Sequence, residues 1–192
     1  MTGLLETPRA PARRRLDVDA YYRMAEAGIL TASDRVELID GDIIDMVPIG
    51  SPHAGHTISL VQAFAQAAAD ERVLLAVQTP LRLDRYNEPQ PDVMLLRPRP
   101  DRYKRRHPST GDVLLLVEVS DSSLAYDRST KLSLYARFGV PEVWIVDIPG
   151  AAVEADRNPR EGVYADSERL VSGRLAPGLV PEVSVDVAAL LA

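Results

Sequence analysis

Two carboxylates in this 192-residue chain stand at the ends of apolar runs, where a bare charge is unfavourable unless a cation, hydrogen bonds or water meet it. Asp92 opens the run AspValMetLeuLeu directly after Pro91, and Glu118 closes ValLeuLeuLeuValGlu. If the two runs are neighbouring strands, the acids converge at one sheet end, and paired oxygen ligands suit a hard divalent cation such as Mg²⁺ or Mn²⁺. Glu37, inside an earlier alternating segment, could complete the cluster. The plainer alternative is that each acid is solvated or paired with an arginine. Asp127 and Lys131 are four apart and share one helical face, next to a stripe of Leu132, Tyr135 and Ala136. Lys131 then either leans toward Glu118 or forms an ordinary surface pair worth a few tenths of a kcal/mol. His53 and His56, three apart at a helix start, could share a ligand or could cap and pack; Tyr126 could shape a site or serve as packing.

These side chains need elements to position them. Residues 17–27 predict a short helix with Asp17 as N-cap, Gly28 as stop, and Tyr21, Met24 and Ala25 on its buried side. Residues 35–46 are two β-branched runs flanking Asp40-Gly41, a strong hairpin signal. A helix is expected over 53–70, with Ile58, Val61, Ala65 and Ala68 as its apolar stripe. Strands follow at 73–78, 81–83, 92–96 and 113–119, the last buried on both faces until Glu118. A second substantial helix spans 126–138, ended by Gly139 and Pro141, and 142–148 is another strand, with Trp144 in the core and Asp147 at its end as a cap or turn residue. Beyond it, Gly162, Gly173, Pro177, Gly178 and Pro181 divide short pieces of a β-meander that ends in an apolar tail. The expectation is a flexible basic arm over residues 1–15 and a single α/β domain over 16–192.

Composition narrows the chemistry. With no cysteine there is no disulfide, thiolate-held zinc, iron–sulfur cluster or cysteine nucleophile, and a reducing cytoplasm is the compartment expected. No apolar run reaches the ~18 residues of a membrane span. The phosphate loop Gly-x-x-x-x-Gly-Lys, the Gly-x-Ser-x-Gly elbow and the His-Glu-x-x-His zinc helix are missing. Lys and Arg number 22 against 28 Asp and Glu, a net charge of −6 that points away from nucleic acid. The charge is uneven, however. The first fifteen residues and residues 97–106 (ArgProArgProAspArgTyrLysArgArg) are basic, and the second segment could grip phosphate, with Tyr103 free for stacking, or be a solvated loop.

One family has these residues in this order: GluLeuIleAspGlyAsp at 37–42, ProHis at 52–53, ProAspVal at 91–93, GluValSer at 118–120, TyrAspArg at 126–128, Lys131, TyrAla at 135–136 and GlyValProGluValTrpIleValAsp at 139–147. Over nearly the whole chain the sequence resembles the Uma-two family of restriction-endonuclease-like proteins, within the PD-(D/E)XK nuclease superfamily. The resemblance implies an α/β (α+β) fold, a mixed β-sheet flanked by helices with an N-terminal helix and β-hairpin. It also implies a Mg²⁺-dependent endonuclease acting on DNA, with Mn²⁺ able to substitute and RNA left open. Asp92 matches the Asp of the ProAsp element, Glu118 the second acid, and Glu37 an additional N-terminal acid. The superfamily's lysine normally follows the second acid by two residues, where this chain has Ser120, and Lys131 on the next helix takes its place. The implied metal ligands are Asp92, Glu118 and the Val119 carbonyl, with Lys131 orienting water or stabilising charge on the phosphate and Glu37 serving a second metal or ordering water. Fold analogy suggests a homodimer. Ser120 and the acidic net charge keep a second class open: a catalytically inactive nuclease-fold module that binds nucleic acid or serves assembly.

Overall fold

The computed structural model describes residues 13–31 and 33–192. Asp17 caps α1 (Val18–Glu26), accepting the Ala20 N–H at 2.9 Å, and Gly28 at φ +73° ends the turn in the left-handed region. The covered side of α1 differs from the expected one: Val18 is buried, Tyr21 and Met24 are half-buried, and Ala25 is exposed. The helix leans on the 85–88 segment through its first turns, where the Val18 N–H donates to Arg85 O and the Tyr22 hydroxyl to Glu88.

β1 (Val36–Ile39) and β2 (Asp42–Asp45) form the hairpin, with Asp40 and Gly41 both at positive φ, as a two-residue Asp-Gly turn requires. A side chain at Gly41 would meet Arg15 at 2.6 Å from its Cβ. Of the expected flexible arm, residues 1–12 lie outside the described residues. Its last part is docked: Arg13 pairs with Asp42 at 2.5 Å, and Arg15 Nε donates to Asp40 O at 2.7 Å.

α2 (Ser51–Ala69) buries Leu60, Phe64 and Ala67, whereas Ile58 is 58% exposed. The expected stripe is therefore one position out of phase. Phe64, packed on Trp144 with centroids 6.2 Å apart, sets the orientation, and the true stripe runs 53, 57, 60, 64, 67.

β3 (Leu74–Val77), β4 (Val93–Leu96), β5 (Val113–Ser120), β6 (Glu142–Asp147), β7 (Ala152–Arg160) and β8 (Val163–Leu170) make a six-stranded sheet in sequence order. Residues 81–83 are not a strand; Arg82 makes only an isolated bridge to Ser109. β5 and β6 are the parallel pair, and every other neighbour is antiparallel. A parallel pair needs a crossover. Here it is one continuous helical segment: α3 (Leu124–Tyr126), a π-helical turn Asp127–Lys131, and α4 (Leu132–Arg137), with Gly139 beyond it at φ +73°. β9 (Arg174–Leu175), β10 (Val185–Asp186) and the short α5 (Val187–Leu191) close the apolar tail over the α2 side.

The sheet's period of two divides the core. Val93, Leu95, Val117 and Val119 face α2, with Phe64 and Trp144, while Met94, Leu96 and Leu116 face the crossover, with Tyr135 and Ile145. Glu118 shares the face of Leu116, so it points at the crossover helix. No helix among the described residues is long and apolar enough to cross a membrane.

Candidate active site

Strand register brings the first two acids together. Val93 pairs with Val117 in an antiparallel ladder, so Asp92 and Glu118 stand opposite each other one step further on, at the sheet end. Asp92 is fixed by three donors: His53 Nε2 to Oδ1 at 2.9 Å, the Val119 N–H to Oδ2 at 2.9 Å, and Gln78 Nε2 at 3.5 Å. His53 reaches it because it is the first residue of the α2 stripe that faces the sheet.

Glu118 is 3% exposed and Lys131 6%. Lys131 Nζ lies 3.3 Å from Glu118 Oε1 and 3.2 Å from Glu37 Oε2, so one ammonium bridges the sheet and the hairpin. The Tyr135 hydroxyl donates to Glu118 Oε1 at 2.5 Å, and the Gln90 N–H to Glu37 Oε2 at 3.1 Å. Asp127 does not form the surface pair with Lys131 that spacing allowed. It is buried and accepts from Ser120 at 2.7 Å and Ser123 at 2.6 Å. Ser120 thus holds the crossover helix from the position where the superfamily pattern has its lysine. The π turn between Asp127 and Lys131 widens the helix at the site, a common location for such turns.

Glu37, Asp92, Glu118, Val119 and Lys131 all line one cavity of about 270 Å³, together with His53, Gln90, Tyr126 and Asp127. Burial pushes the Glu118 carboxyl up to about 8, against the pull of Lys131, and the charges of Asp127 and Asp92 add to the rise. Burial alone would lower the Lys131 ammonium's pKa, but Glu118 and Glu37 outweigh it and raise it above its ordinary value. The Tyr126 hydroxyl is buried without a partner among the described residues, and burial and then the charge of Glu37 push it up to about 12.

The site therefore gathers four buried acidic side chains, Glu37, Asp92, Glu118 and Asp127, around one buried ammonium, Lys131, with His53 and the half-buried Arg35 at the cavity wall. Oxygen donors in excess, beside an unpartnered hydroxyl, fit a hydrated hard cation. Among the described residues, no three His, Asp or Glu side chains already stand at the spacing that holds a metal ion. The fit rests on Asp92 and Glu118 with backbone oxygen.

The other candidates separate. His56 does not face the cavity with His53; its Nδ1 donates back to Pro52 O at 2.8 Å. Residues 97–106 follow β4 at its other end, away from Asp92, and do not line the cavity. The guanidinium groups of Arg99 and Arg106 lie 5.4 and 5.5 Å from the Tyr103 ring centre, and its hydroxyl donates to Arg97 O at 3.0 Å. Trp144 is fully buried, and Asp147 Oδ1 accepts the Gly150 N–H as a turn acceptor. Sequence reasoning missed the His53–Asp92 contact and the Tyr135 contact to Glu118. Tyr135 was signalled by its place four residues after Lys131, whereas His53 joins the site only once the packing of Phe64 on Trp144 has set the phase of α2.

A mixed sheet flanked by helices, with paired acids at a strand end, defines a restriction-endonuclease-like fold. The chain belongs to the family described as "Uma2: Putative restriction endonuclease", which it matches over residues 18–188. Its fold is similar to that of a protein from Anabaena variabilis ATCC 29413, described as "a putative nuclease belonging to DUF820" and solved by crystallography. The two share 14% identity with a TM-score of 0.69, over 92% of this chain and 97% of that one. No curated protein matches the sequence.

Proposed function

We propose that this protein is a metal-dependent endonuclease that hydrolyses phosphodiester bonds in DNA. The observation that carries this reading is the shared cavity, in which Asp92 and Glu118 meet from neighbouring strands beside Lys131. Asp92, Glu118 and the Val119 carbonyl would hold Mg²⁺, or Mn²⁺ in its place. When bound, such an ion supplies positive charge against the phosphate and makes water easier to ionise.

The remaining roles belong to the chain itself. Hydrolysis adds water to phosphorus, breaks one P–O ester bond and moves a proton to the leaving oxygen. Lys131 Nζ would donate to a phosphate oxygen as negative charge grows there, a preorganised stabilisation strongest in a dry site. Glu37 positions that ammonium from the hairpin side, and Tyr135 keeps Glu118 in one orientation. His53 does the same for Asp92.

The test is cleavage of plasmid DNA and of DNA and RNA oligonucleotides with Mg²⁺ or Mn²⁺ and with EDTA. Wild type should cleave DNA only with metal, and Asp92→Asn should lose at least a hundredfold in rate, the usual scale for a lost charge-stabilising group (~10²–10³). Equal rates in wild type and Asp92→Asn would overturn the assignment. A second reading, a non-catalytic module that binds nucleic acid, is favoured by the engagement of Lys131 with two carboxylates at once. It predicts DNA binding without turnover in every metal.

A further inference from the structure

Arg35 stands at the base of the hairpin, fixed by the Met46 N–H donating to its carbonyl at 2.8 Å. Its side chain is half-buried, yet no ion pair among the described residues engages its guanidinium. Other partly covered arginines are matched: Arg82 with Glu88, Arg128 with Asp147 and Glu154, Arg157 with Glu142. An unmatched guanidinium held against the protein surface is a ready partner for phosphate, whose oxygens fit its planar fork.

Its location says which phosphate. Arg35 and Gln90 line both the candidate active cavity and a second cavity of about 730 Å³. Tyr21 and Tyr22 contribute aromatic surface to that second cavity. Its acids are already satisfied: Asp34 accepts from the Thr31 N–H at 2.7 Å and the Thr31 hydroxyl at 2.8 Å, and Glu88 accepts from Arg82 and from Tyr22. Glu88 is thereby paired with a cation, Asp34 keeps its charge within the Thr31 turn, and Arg35 is the cation at the seam that no ion pair among the described residues engages.

We propose that Arg35 grips the phosphate next to the scissile one, as a nucleic-acid strand runs from the active cavity into the second cavity lined by Tyr21 and Tyr22. The proposal rests on the nuclease reading for its substrate class, and its test can fail separately from that reading. Arg35 touches a neighbouring phosphate and not the reacting atoms, so it is a binding and positioning residue.

The experiment is fluorescence anisotropy with a labelled single-stranded oligodeoxynucleotide, alone and annealed, in EDTA and in Ca²⁺, over a range of salt. Wild type is compared with Arg35→Gln, Arg35→Lys and the exposed control Arg160→Gln. Arg35→Gln should weaken binding about tenfold, the scale of one charge-assisted contact. It should also flatten the slope of log affinity against log salt by about 0.7 on the single strand, one phosphate's share. Arg35→Lys should recover part of the loss, and Arg160→Gln should leave affinity unchanged. In metal-supported cleavage, Arg35→Gln should raise KM with kcat nearly unaltered. Binding and slope equal to wild type in a folded Arg35→Gln, or no binding by wild type in either buffer, overturns the proposal. Wild type that binds through Arg35 but never cleaves supports the strand contact at Arg35 and overturns the nuclease reading, and with it the scissile position, instead.

Discussion

At the scale of single residues, the site is organised around one buried ammonium. Lys131 closes a bridge from β5 to the hairpin, and deleting its charge would leave the buried Glu37 and Glu118 without their shared cation. Lys131→Met should therefore lose about 3–5 kcal/mol of stability, the usual result of breaking a buried pair from one side. Urea denaturation measures it, and adding Glu118→Gln should recover part of the loss; a Lys131→Met variant as stable as wild type would contradict the bridge. The acids were legible in the sequence because each breaks an apolar run. The lysine's direction was not, since a four-residue spacing to Asp127 is equally compatible with a surface pair. What decided it was Ser120, small enough to be covered by the helix and polar enough to anchor Asp127.

At the scale of elements, the site depends on helix phase and strand register. Register was readable, because Asp92 and Glu118 mark matching ends of two apolar strands. The phase of α2 was not. Its alanines offer several weak stripes, and only the packing of Phe64 on Trp144 selects one. Phe64→Ala should cost about 3–5 kcal/mol; because the same face carries His53, it should also weaken Mn²⁺ binding in calorimetry. A variant destabilised by that amount but with native Mn²⁺ affinity would show that the His53 end is held independently. The start of β5 has its own clamp. Burial alone would raise the Asp112 carboxyl, but hydrogen bonds from Arg106 and from the Ser109 N–H and hydroxyl hold it well below the usual carboxylate range. A depressed carboxyl stabilises the fold above its unfolded value, and that contribution fades as pH falls toward the folded one. The stability gap between wild type and Asp112→Asn should thus be full at neutral pH and shrink below about pH 4. A gap independent of pH in denaturant titrations would refute the clamp.

At the scale of the whole molecule, the net charge of −6 is a poor guide to partners, because part of the acid is buried around one cavity. Charge concentrated there should make stability depend on divalent ions. Mn²⁺ at about a hundredfold over its dissociation constant should add about 2.7 kcal/mol of stability. Differential scanning calorimetry should show the corresponding rise in Tm for wild type and none for Asp92→Asn. An equal rise in both would mean that the ion binds elsewhere.

The burial of Lys131 also makes the chain its own chemical probe. The sequence has two lysines, Lys104 on an exposed loop and Lys131 inside the cavity wall. Amine-acylating reagents attack the neutral, accessible amine, and Lys131 is protected twice over, by cover and by the acids that keep it protonated. Lys104, being exposed, should acylate without any opening of the fold, and Lys131 only when the crossover helix lifts away from the sheet. The ratio of the two labels, read by mass spectrometry in a single sample, is a direct clock for the opening of this cavity.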